Sequence, residues 1–567
     1  MLVVRCAACC FLIVAAGASC ASPSKVRPLT GVYYFPGWYR SAPGEDASEP
    51  GEWRGCIIKG ATPRPAARFY NDADPRLWDY YLRWMSTRGI DFIAFDWYYN
   101  AGQQYLERSL EGGYLGSPSS GKVKFAVHWC NHGGGWWNKP LDQGQDANLQ
   151  MMDLLCERYF SRENYLKIDG RPVFMIYDIN QLMSFGGQQA TRKTLAAIRA
   201  RAVEKGFDGL YLVAVYSGSS PDTIAMLNRL GFDAFCAYTY SYMRPPEVAW
   251  NTNTVPYPAL ADLVSRYLYP HLARMGRAHD IPYWPTTFSG WDDRPRAGLE
   301  NGWVLSGNRP EDFGKMFRTA LDHVNPESPV VMVEAWNEWG EGACIEPSRE
   351  HGFGYLDEIA RALGKRGGDR SLPSDDEISS WSALNAAELG EAKESESKPW
   401  PIKPVKRYPL KESRFAPRAA MPVVFDLTAS GIPADALRLE GVEIAERGPD
   451  GTVFQVTGAD PQIILPAVEV PKEQIRRIVL DGRILDSGAS GAGPANAEIY
   501  WTTALMPDFA WCASAAFPWF PGRGASIVTR DIAFWEATGT PVLRLRIDPP
   551  DGAGVKLRLR QVTLEER

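Results

Sequence analysis

Eight continuous apolar runs alternate with segments of helical periodicity between residues 28 and 363. Runs of this kind are typical of strands that are buried on both faces, as in a parallel sheet. Helical periodicity is clearest at Pro75 to Arg88, Thr191 to Lys205 and Ala261 to Ala278. Eight such units in about 330 residues predict an α/β fold, a (β/α)8 TIM barrel, with a doubly wound open sheet as the alternative. The runs begin at Gly31, Gly89, Val123, Arg171, Gly209, Phe232, Ile281 and Ser328.

Polar and aromatic residues gather at the carboxyl end of these runs. Barrel enzymes build their active sites on the face where the strands end in this direction. Solvation alone does not readily produce such enrichment run after run. We therefore expect substrate contacts from the following residues: Tyr34, Trp38, Asp96, Trp97, His128, Asn131, Tyr177, Tyr240, Trp291, Asp292, Trp336 and Asn337.

The last run leads into two acids, in the segment VMVEAWNEWGEGACIEP from Val331 to Pro347. Glu338 and Glu341 follow a predicted strand and have indole rings beside them. Cleavage of a glycosidic bond needs one carboxyl that holds a proton and one that stays ionised. Indole faces can stack on the C–H face of a sugar. The segment predicts a catalytic acid pair on a carbohydrate, and the alternative is a turn with two solvated glutamates.

Three motifs carry a resemblance to a known family: GVYYFPGWY at the first strand, GWDDRPR from Gly290 to Arg296, and WNEWGEGACIEP. The sequence from about Gly31 to Leu363 resembles glycoside hydrolase family 99, endo-α-mannosidases, and relatives from O-antigen clusters labelled glycosyltransferase-like. The resemblance implies a barrel that cleaves internal α-mannosidic linkages with retention. It implies that Glu341 is the general acid/base and that Glu338 deprotonates the 2-hydroxyl, which gives a 1,2-anhydro sugar. A direct nucleophilic role for Glu338 also fits the residues.

Two segments depart from the pattern of the family. Proven hydrolases of the family commonly carry His between the two acids, where this chain has Gly340. The third-strand segment HWCNHGGGWWN also differs from that of the proven mannosidases. These departures leave the sugar and the linkage open.

Composition and cysteine usage exclude several classes of protein. A net charge of -6 with 23% charged residues gives no basic excess for binding nucleic acid. The six cysteines after residue 21 are scattered without a CxxC pair, which indicates neither a zinc site nor a disulfide framework. His128, Asn131 and His132 lack a clear third metal ligand. We expect no metal and no cofactor.

The two ends of the chain differ from the barrel region. Residues 1–21 read as a secretory signal peptide, with a lipid anchor at Cys20 as an alternative, and no later apolar run is long enough to span a membrane. Residues 364–420 are rich in charge, Pro and Ser, which predicts a linker with a short helix at Ser380 to Leu389. Residues 421–567 alternate with turn signals, which predicts a β-sandwich of jelly-roll type. It would serve as a carbohydrate-binding module or as a structural brace.

These features together predict an exported glycoside hydrolase. Its partner would be an α-linked, manno-configured oligosaccharide or polysaccharide. Two alternatives stay open: a non-catalytic glycan-binding protein on a hydrolase-like barrel, and a glycosyltransferase-like protein. The signal peptide weighs against the transferase, because activated sugar donors are cytoplasmic. The sequence leaves the oligomeric state open.

Overall fold

The computed structural model describes most of the chain. The described ranges are 27–39, 52–55, 64–132, 141–249, 251–396, 400–408, 419–486, 495–519, 522–550, 552 and 554–566. The predicted signal peptide, with Cys20, lies outside them, so export and the lipid anchor stay predictions. Within the described ranges, no helix has the length and apolar character that crossing a membrane requires.

Eight parallel strands form the barrel predicted from the sequence. The strands are β1 Leu29–Tyr34, β2 Phe92–Asn100, β3 Lys124–Trp129, β4 Arg171–Ile176, β5 Tyr211–Val215, β6 Ala234–Cys236, β7 Thr286–Phe288 and β8 Val330–Glu334. They neighbour one another in the order β7-β8-β1-β2-β3-β4-β5-β6. A parallel bridge between Phe235 and Tyr283 joins β6 to the segment before β7 and closes the ring.

Helical segments follow the strands and cover the outside of the barrel. In strand order they are Pro75–Arg88, the π-helix Ser109–Tyr114, Gln145–Leu155, Gly187–Glu204, Pro221–Leu230, Tyr257–Leu263 with Tyr269–Ala278, Pro310–Asp322 and Gly354–Ala362. Shorter helices lie at Glu52–Gly55, Ile179–Ser184, Arg294–Ala297, Asp375–Ser380 and Ala386–Glu396.

Local sequence explains where two of the predicted helices begin, end or break. The helix Pro75–Arg88 has the predicted bounds, because Asp74 caps its first turn and Gly89 ends it in the left-handed conformation. The predicted helix Ala261 to Ala278 is divided by a π-helical turn at Val264–Leu268. Pro270 follows that turn and has no N–H to donate, so the regular ladder cannot run through it.

Strand alternation divides the barrel residues between two apolar layers. Tyr33, Phe92 and Met332 belong to the layer inside the barrel. Val32 and Phe95 belong to the layer between the strands and the helices. Because successive side chains of a strand point to opposite faces, only every second residue can reach the inside and the opening above it.

The C-terminal region forms the predicted sandwich of antiparallel sheets around its own apolar core. Trp501, Trp519 and Trp535 are buried in that region, so their rings are not available as sugar-stacking platforms. An ion pair joins Arg274 of the barrel to Asp531 of the sandwich. These contacts favour a bracing role for the sandwich. One sheet contains Val423–Asp426, Val442–Gly448, Gly451–Val456, Arg477–Asp486, Ala525–Val528 and Lys556–Glu565, and the other contains Arg438–Glu440, Gln462–Ile464, Ala495–Thr503, Ser514–Trp519 and Val542–Asp548.

The segment predicted as a linker contains more helix than expected. Helices occupy Asp375–Ser380 and Ala386–Glu396, where the sequence predicted a single short one. The Tyr80 hydroxyl donates to the Glu377 carboxylate at 3.1 Å and the Trp84 indole donates to the Ser371 carbonyl at 3.1 Å. This part of the segment therefore packs on the helix Pro75–Arg88 of the barrel.

Gly31 of β1 leaves the space that the Phe92 ring fills inside the barrel. A Cβ at residue 31 would lie 2.2 Å from the tip of that ring. We expect Gly31→Ala to lower the free energy of unfolding by about 1 to 3 kcal/mol, because overpacking a closed core forces its neighbours apart. Urea unfolding followed by circular dichroism measures the change. The matched control is Gly121→Ala, where a Cβ meets open space, and equal stability of the two variants would contradict this packing.

Candidate active site

The two acids follow β8, as the sequence predicted, and lie on a short hairpin. Residues Asn337–Glu338 pair antiparallel with Ala343–Cys344. Gly342 turns the chain between them with a φ of 64°, and a Cβ there would lie 2.9 Å from Asp292. Only glycine combines that left-handed conformation with so close a neighbour. The turn therefore places Glu338 and Glu341 above the barrel opening.

Neighbouring loops fix the hairpin through backbone and amide hydrogen bonds. The Asn337 side chain accepts from the Phe35 N–H and donates to the Phe35 carbonyl, both at 2.9 Å. The Asp292 N–H donates to the Glu341 carbonyl at 2.5 Å. The Asp292 carboxylate forms a buried bidentate pair with Arg294. Asn337 and Asp292 thus hold the acids in place, and their predicted contact with substrate stays a prediction.

Glu346 supports the hairpin from below. Its carboxyl accepts from the Tyr70 hydroxyl at 2.8 Å, the Tyr81 hydroxyl at 2.7 Å and the Trp339 indole at 3.1 Å. Burial raises the pKa of Glu346 to about 8, and the three donors oppose that rise. The group therefore acts as a structural acceptor beneath Trp339.

One cation, Arg296, contacts both acids. Its Nη1 donates to Glu341 Oε1 at 2.7 Å, and its Nη2 lies 3.4 Å from Glu338 Oε2. The same Nη2 is 3.5 Å from Glu52 Oε2. The Glu338 side chain is 4% exposed, that of Glu341 is 18% exposed and that of Arg296 is 31% exposed. The guanidinium therefore bridges the pair from the more open side.

Burial makes Glu334, Glu338 and Glu341 weaker acids than an exposed glutamate. Desolvation raises the pKa of Glu338 well above its usual value, and the Arg296 charge opposes the rise. The same two causes act on Glu341, whose pKa is raised to about 7. Glu334, at the end of β8, has a pKa well above its usual value because of burial and of the nearby Glu341. At neutral pH the pair therefore holds a proton that it can give up.

A second polar group lies beside the pair, at the ends of β2 and β3. The His128 Nδ1 and the Asp96 Oδ1 are 2.7 Å apart. The His128 ring packs against Tyr33, Tyr177 and Tyr238. With Asp96 ionised, Nδ1 donates to it and Nε2 is left as an acceptor. Within the described part of the chain, Nε2 is buried without a partner, as is Glu341 Oε2.

Asp96, His128 and Cys130 could together form a metal site by distance alone, since their ligand atoms lie within 4.8 Å of one another. Asp96 and His128 already satisfy each other by a direct hydrogen bond. Burial raises the pKa of the Cys130 thiol well above its usual value, whereas a metal needs the thiolate. The donor set is a poor fit for a metal, and its absence stays a prediction.

Five predicted contact residues belong to the large buried apolar cluster of the chain: Tyr34, Trp38, Trp97, Tyr240 and Trp336. The Tyr34 hydroxyl donates to Asp72, and the Trp97 ring stacks on Tyr99. All five are buried, and their predicted contact with substrate stays a prediction. Strand alternation turns the Trp97 side chain to the face opposite that of Asp96.

The remaining predicted contacts differ in position. Tyr177 packs against His128, and Trp291 packs edge-on to Tyr242 at 4.7 Å. Asn131 braces a loop instead: its side chain donates to the Asp178 carbonyl at 2.8 Å and accepts from the Asp178 N–H at 2.6 Å. The contact of all three with substrate stays a prediction.

Sequence reasoning missed several residues of the site. Arg296 stands in the GWDDRPR motif that was singled out, but no role was given to it. Tyr98 follows Asp96 by two positions, and Tyr238 follows the inward-facing Cys236 by two. The signal that could have found both tyrosines is this spacing of two, which keeps a side chain on the same face of a strand.

Replacement of Glu346 tests the support under the hairpin. We expect Glu346→Ala to lower the free energy of unfolding by about 2 to 4 kcal/mol, because three buried donors lose their acceptor. Glu327→Ala, at an exposed acid, is the control.

Replacement of Glu346 by glutamine tests the raised pKa of this group. Glu346→Gln should lower the free energy of unfolding only slightly near pH 7. Its stability relative to the wild type should rise from about pH 4.5 to about pH 8 and stay constant above that, because over this range the unfolded wild type has lost the proton that the folded wild type still binds. A wild-type advantage that grows with pH would contradict this.

The chain is similar to two curated proteins. Two curated relatives, uncharacterized WxcX proteins from two strains of Xanthomonas campestris pv. campestris, are 24% identical over 309 residues. The match covers 52% of this chain and 42% of each relative, so the chain spans less than half of their length.

Solved structures of similar fold include glycoside hydrolases. A GH99 endo-α-mannosidase from Bacteroides thetaiotaomicron matches with a TM-score of 0.41 at 16% identity, over 59% of this chain and 96% of that one. A GH26 β-mannanase from Bacteroides ovatus matches with a TM-score of 0.31 at 13% identity, over 61% and 93%. The family model described as Glycosyltransferase WbsX matches residues 60–359, more than half of the chain. The chain therefore belongs to the WbsX family.

Proposed function

We propose that this protein is an exported glycoside hydrolase that cleaves an α-linked, manno-configured glycan. The observation that carries the proposal is the acid pair on the hairpin after β8. Both carboxyls lie at the carboxyl-end face of the barrel, and desolvation raises the pKa of the half-buried Glu341 to about 7. A general acid/base must donate a proton in one step and accept one in the next, so a pKa near neutrality suits the role.

The proposed reaction has two steps. In the first, Glu341 donates its proton to the leaving glycosidic oxygen, and Glu338 takes the proton of the 2-hydroxyl. That oxygen attacks the anomeric carbon as the glycosidic bond breaks, which gives a 1,2-anhydro sugar. In the second step Glu341 takes a proton from water, the water oxygen attacks the anomeric carbon, and Glu338 returns its proton to the 2-oxygen. The configuration at the anomeric carbon is retained overall. Direct attack by Glu338 is the alternative first step.

Buried polar atoms beside the pair support a polyhydroxyl ligand. His128 Nε2 and Glu341 Oε2 are buried without a hydrogen-bond partner among the described residues. Buried polar atoms are normally paired, so unpaired ones beside a reactive group suggest a partner supplied by a ligand. Sugar hydroxyls are donors of the right kind, and the rings of Tyr177, Tyr238 and Trp291 offer apolar surface next to them.

The family description favours glycosyl transfer as a second candidate. The same acid pair would serve, because an acceptor hydroxyl can replace water in the second step. Product analysis separates the two: hydrolysis yields one new reducing end per bond cleaved, whereas transfer yields a longer glycan and no net reducing end. A non-catalytic glycan-binding protein would yield neither.

Replacement of each acid tests the proposal on a panel of α-mannans, rhamnans and sulfated algal glycans. We expect the wild type to release reducing ends from at least one of them. Glu338→Gln and Glu341→Gln should each lower kcat by about 10² to 10⁴, because each removes a proton-transfer group. Glu327→Gln is the control for loss of an exposed acid. Full activity in either site variant, or binding of a glycan without any product, would reject the hydrolase.

The pKa of Glu341 sets a pH dependence. The first step needs one proton on the pair, held by Glu341 while Glu338 is ionised. Because the pair loses one proton near pH 7 and the other at the higher pKa of Glu338, kcat/KM should rise up to about pH 7 and fall only above the pKa of Glu338. Initial rates measured from pH 5 to 9 at low substrate concentration give this profile. Constant kcat/KM from pH 5 to 7 would show that the pair loses no proton in this range.

A further inference from the structure

The two acids share one guanidinium, but not equally. Arg296 Nη1 is 2.7 Å from Glu341, whereas Nη2 is 3.4 Å from Glu338 and 3.5 Å from Glu52. Glu341 is also the more exposed of the pair. The shorter ion pair and the weaker desolvation both favour the ionised form of Glu341, which leaves the proton on Glu338.

Gly340 makes this arrangement possible. A Cβ at residue 340 would lie 2.9 Å from Arg296 Nε, 2.9 Å from Nη2 and 3.0 Å from Cζ. The backbone at Gly340 lies outside the left-handed region, so its conformation is open to other residues. The guanidinium occupies the space of the missing side chain. Glycine at this position is explained by Arg296 and not by the turn.

We propose that Arg296 is a positioning residue that decides which of the two acids holds their shared proton, and that Gly340 is the residue that admits it. The proposal rests on the proposed hydrolysis, which needs the proton on Glu341 and a charge on Glu338. With Nη1 on Glu341, the proton is on the wrong partner. A shift of Arg296 away from Glu341, towards Glu338 and Glu52, moves the proton from Glu338 to Glu341 with no net uptake.

Glu52 gives the guanidinium a second place to bind. It lies on the helix Glu52–Gly55, which belongs to a different element from the hairpin. The Phe35 ring lies 5.5 Å from the Arg296 guanidinium carbon and offers it a flat surface. The substrate oxygen that approaches Glu341 would compete with Nη1 for the same carboxylate. Binding of substrate would thus determine whether Glu338 or Glu341 holds the proton.

Several other groups act on Glu341, so the test must change Arg296 alone. These groups are Glu52, Asp96, Tyr177, Tyr238, Tyr242, Asp293, Glu334 and Glu338. Arg296→Gln removes the positive charge and leaves them in place. Gly340→Ala keeps every charge and displaces the guanidinium. Arg296→Gln and Gly340→Ala change the protein in different ways. The same shift of the Glu341 pKa in both would therefore be due to loss of the contact between Arg296 and Glu341.

The experiment measures protonation of Glu341 without any turnover. A water-soluble carbodiimide with an amine nucleophile labels protonated carboxyls, and peptide mass spectrometry reads the label at Glu341 as a function of pH. We expect the midpoint to rise by about 1 to 3 pH units in Arg296→Gln, since an opposite charge is lost. Gly340→Ala should move it in the same direction, and the double variant no further. Arg277→Gln, at an exposed arginine, is the control.

A midpoint that stays at the wild-type value in Arg296→Gln, or that moves only there and not in Gly340→Ala, overturns the proposal. The pH profile gives the catalytic readout: the acidic limb of kcat/KM should move to higher pH with the labelling midpoint in both variants. If the labelling shifts while the wild type cleaves no glycan, the proposed hydrolysis fails and the bond from Arg296 to Glu341 stands. If glycan is cleaved and neither quantity shifts, Arg296 has only a structural role.

Discussion

Burial of carboxylates at the carboxyl-end face of the barrel is the constraint on which the rest of the site depends. Asp96, Glu338 and Glu341 are taken out of water together, with Arg296 as the cation placed against the pair. Charges in such surroundings are costly unless they are paired or protonated. The chain meets that cost through raised pKa values and direct ion pairs, and the same arrangement yields groups that exchange protons near neutral pH.

The scaffold supplies the rigidity that this arrangement needs. Asn337 clamps the hairpin to the end of β1, Asp292 ties it to the loop after β7, and Glu346 fills the space beneath Trp339 with three hydrogen bonds. Each of these fixes the position of the acids. Residues that look functional in the motif WNEWGEGACIEP therefore divide into two groups. Glu338 and Glu341 would carry out the proposed reaction, and Asn337 and Glu346 hold them in position.

Sequence reasoning predicted the barrel, the sandwich and the segment that holds the acids, because periodicity and composition report those features directly. It was less successful with individual aromatic residues. In a strand buried on both faces, Trp97 and Asp96 look alike in pattern, yet they point to opposite sides. The contact of Arg296 with Glu341 joins residues 45 positions apart, and no local pattern encodes it. Gly340 could be explained only after the guanidinium beside it was located.

The most direct test of this account is the titration of the two carboxyls themselves. Carbon-13 NMR of protein labelled at the glutamate side-chain carboxyl, with Glu338→Gln and Glu341→Gln to assign the signals, follows each group through pH. The account predicts that Glu341 titrates near 7 and that Glu338 titrates at a higher pH. Titration of both groups near 4.5, the ordinary range for glutamate, would mean that the barrel does not hold the pair as a proton donor.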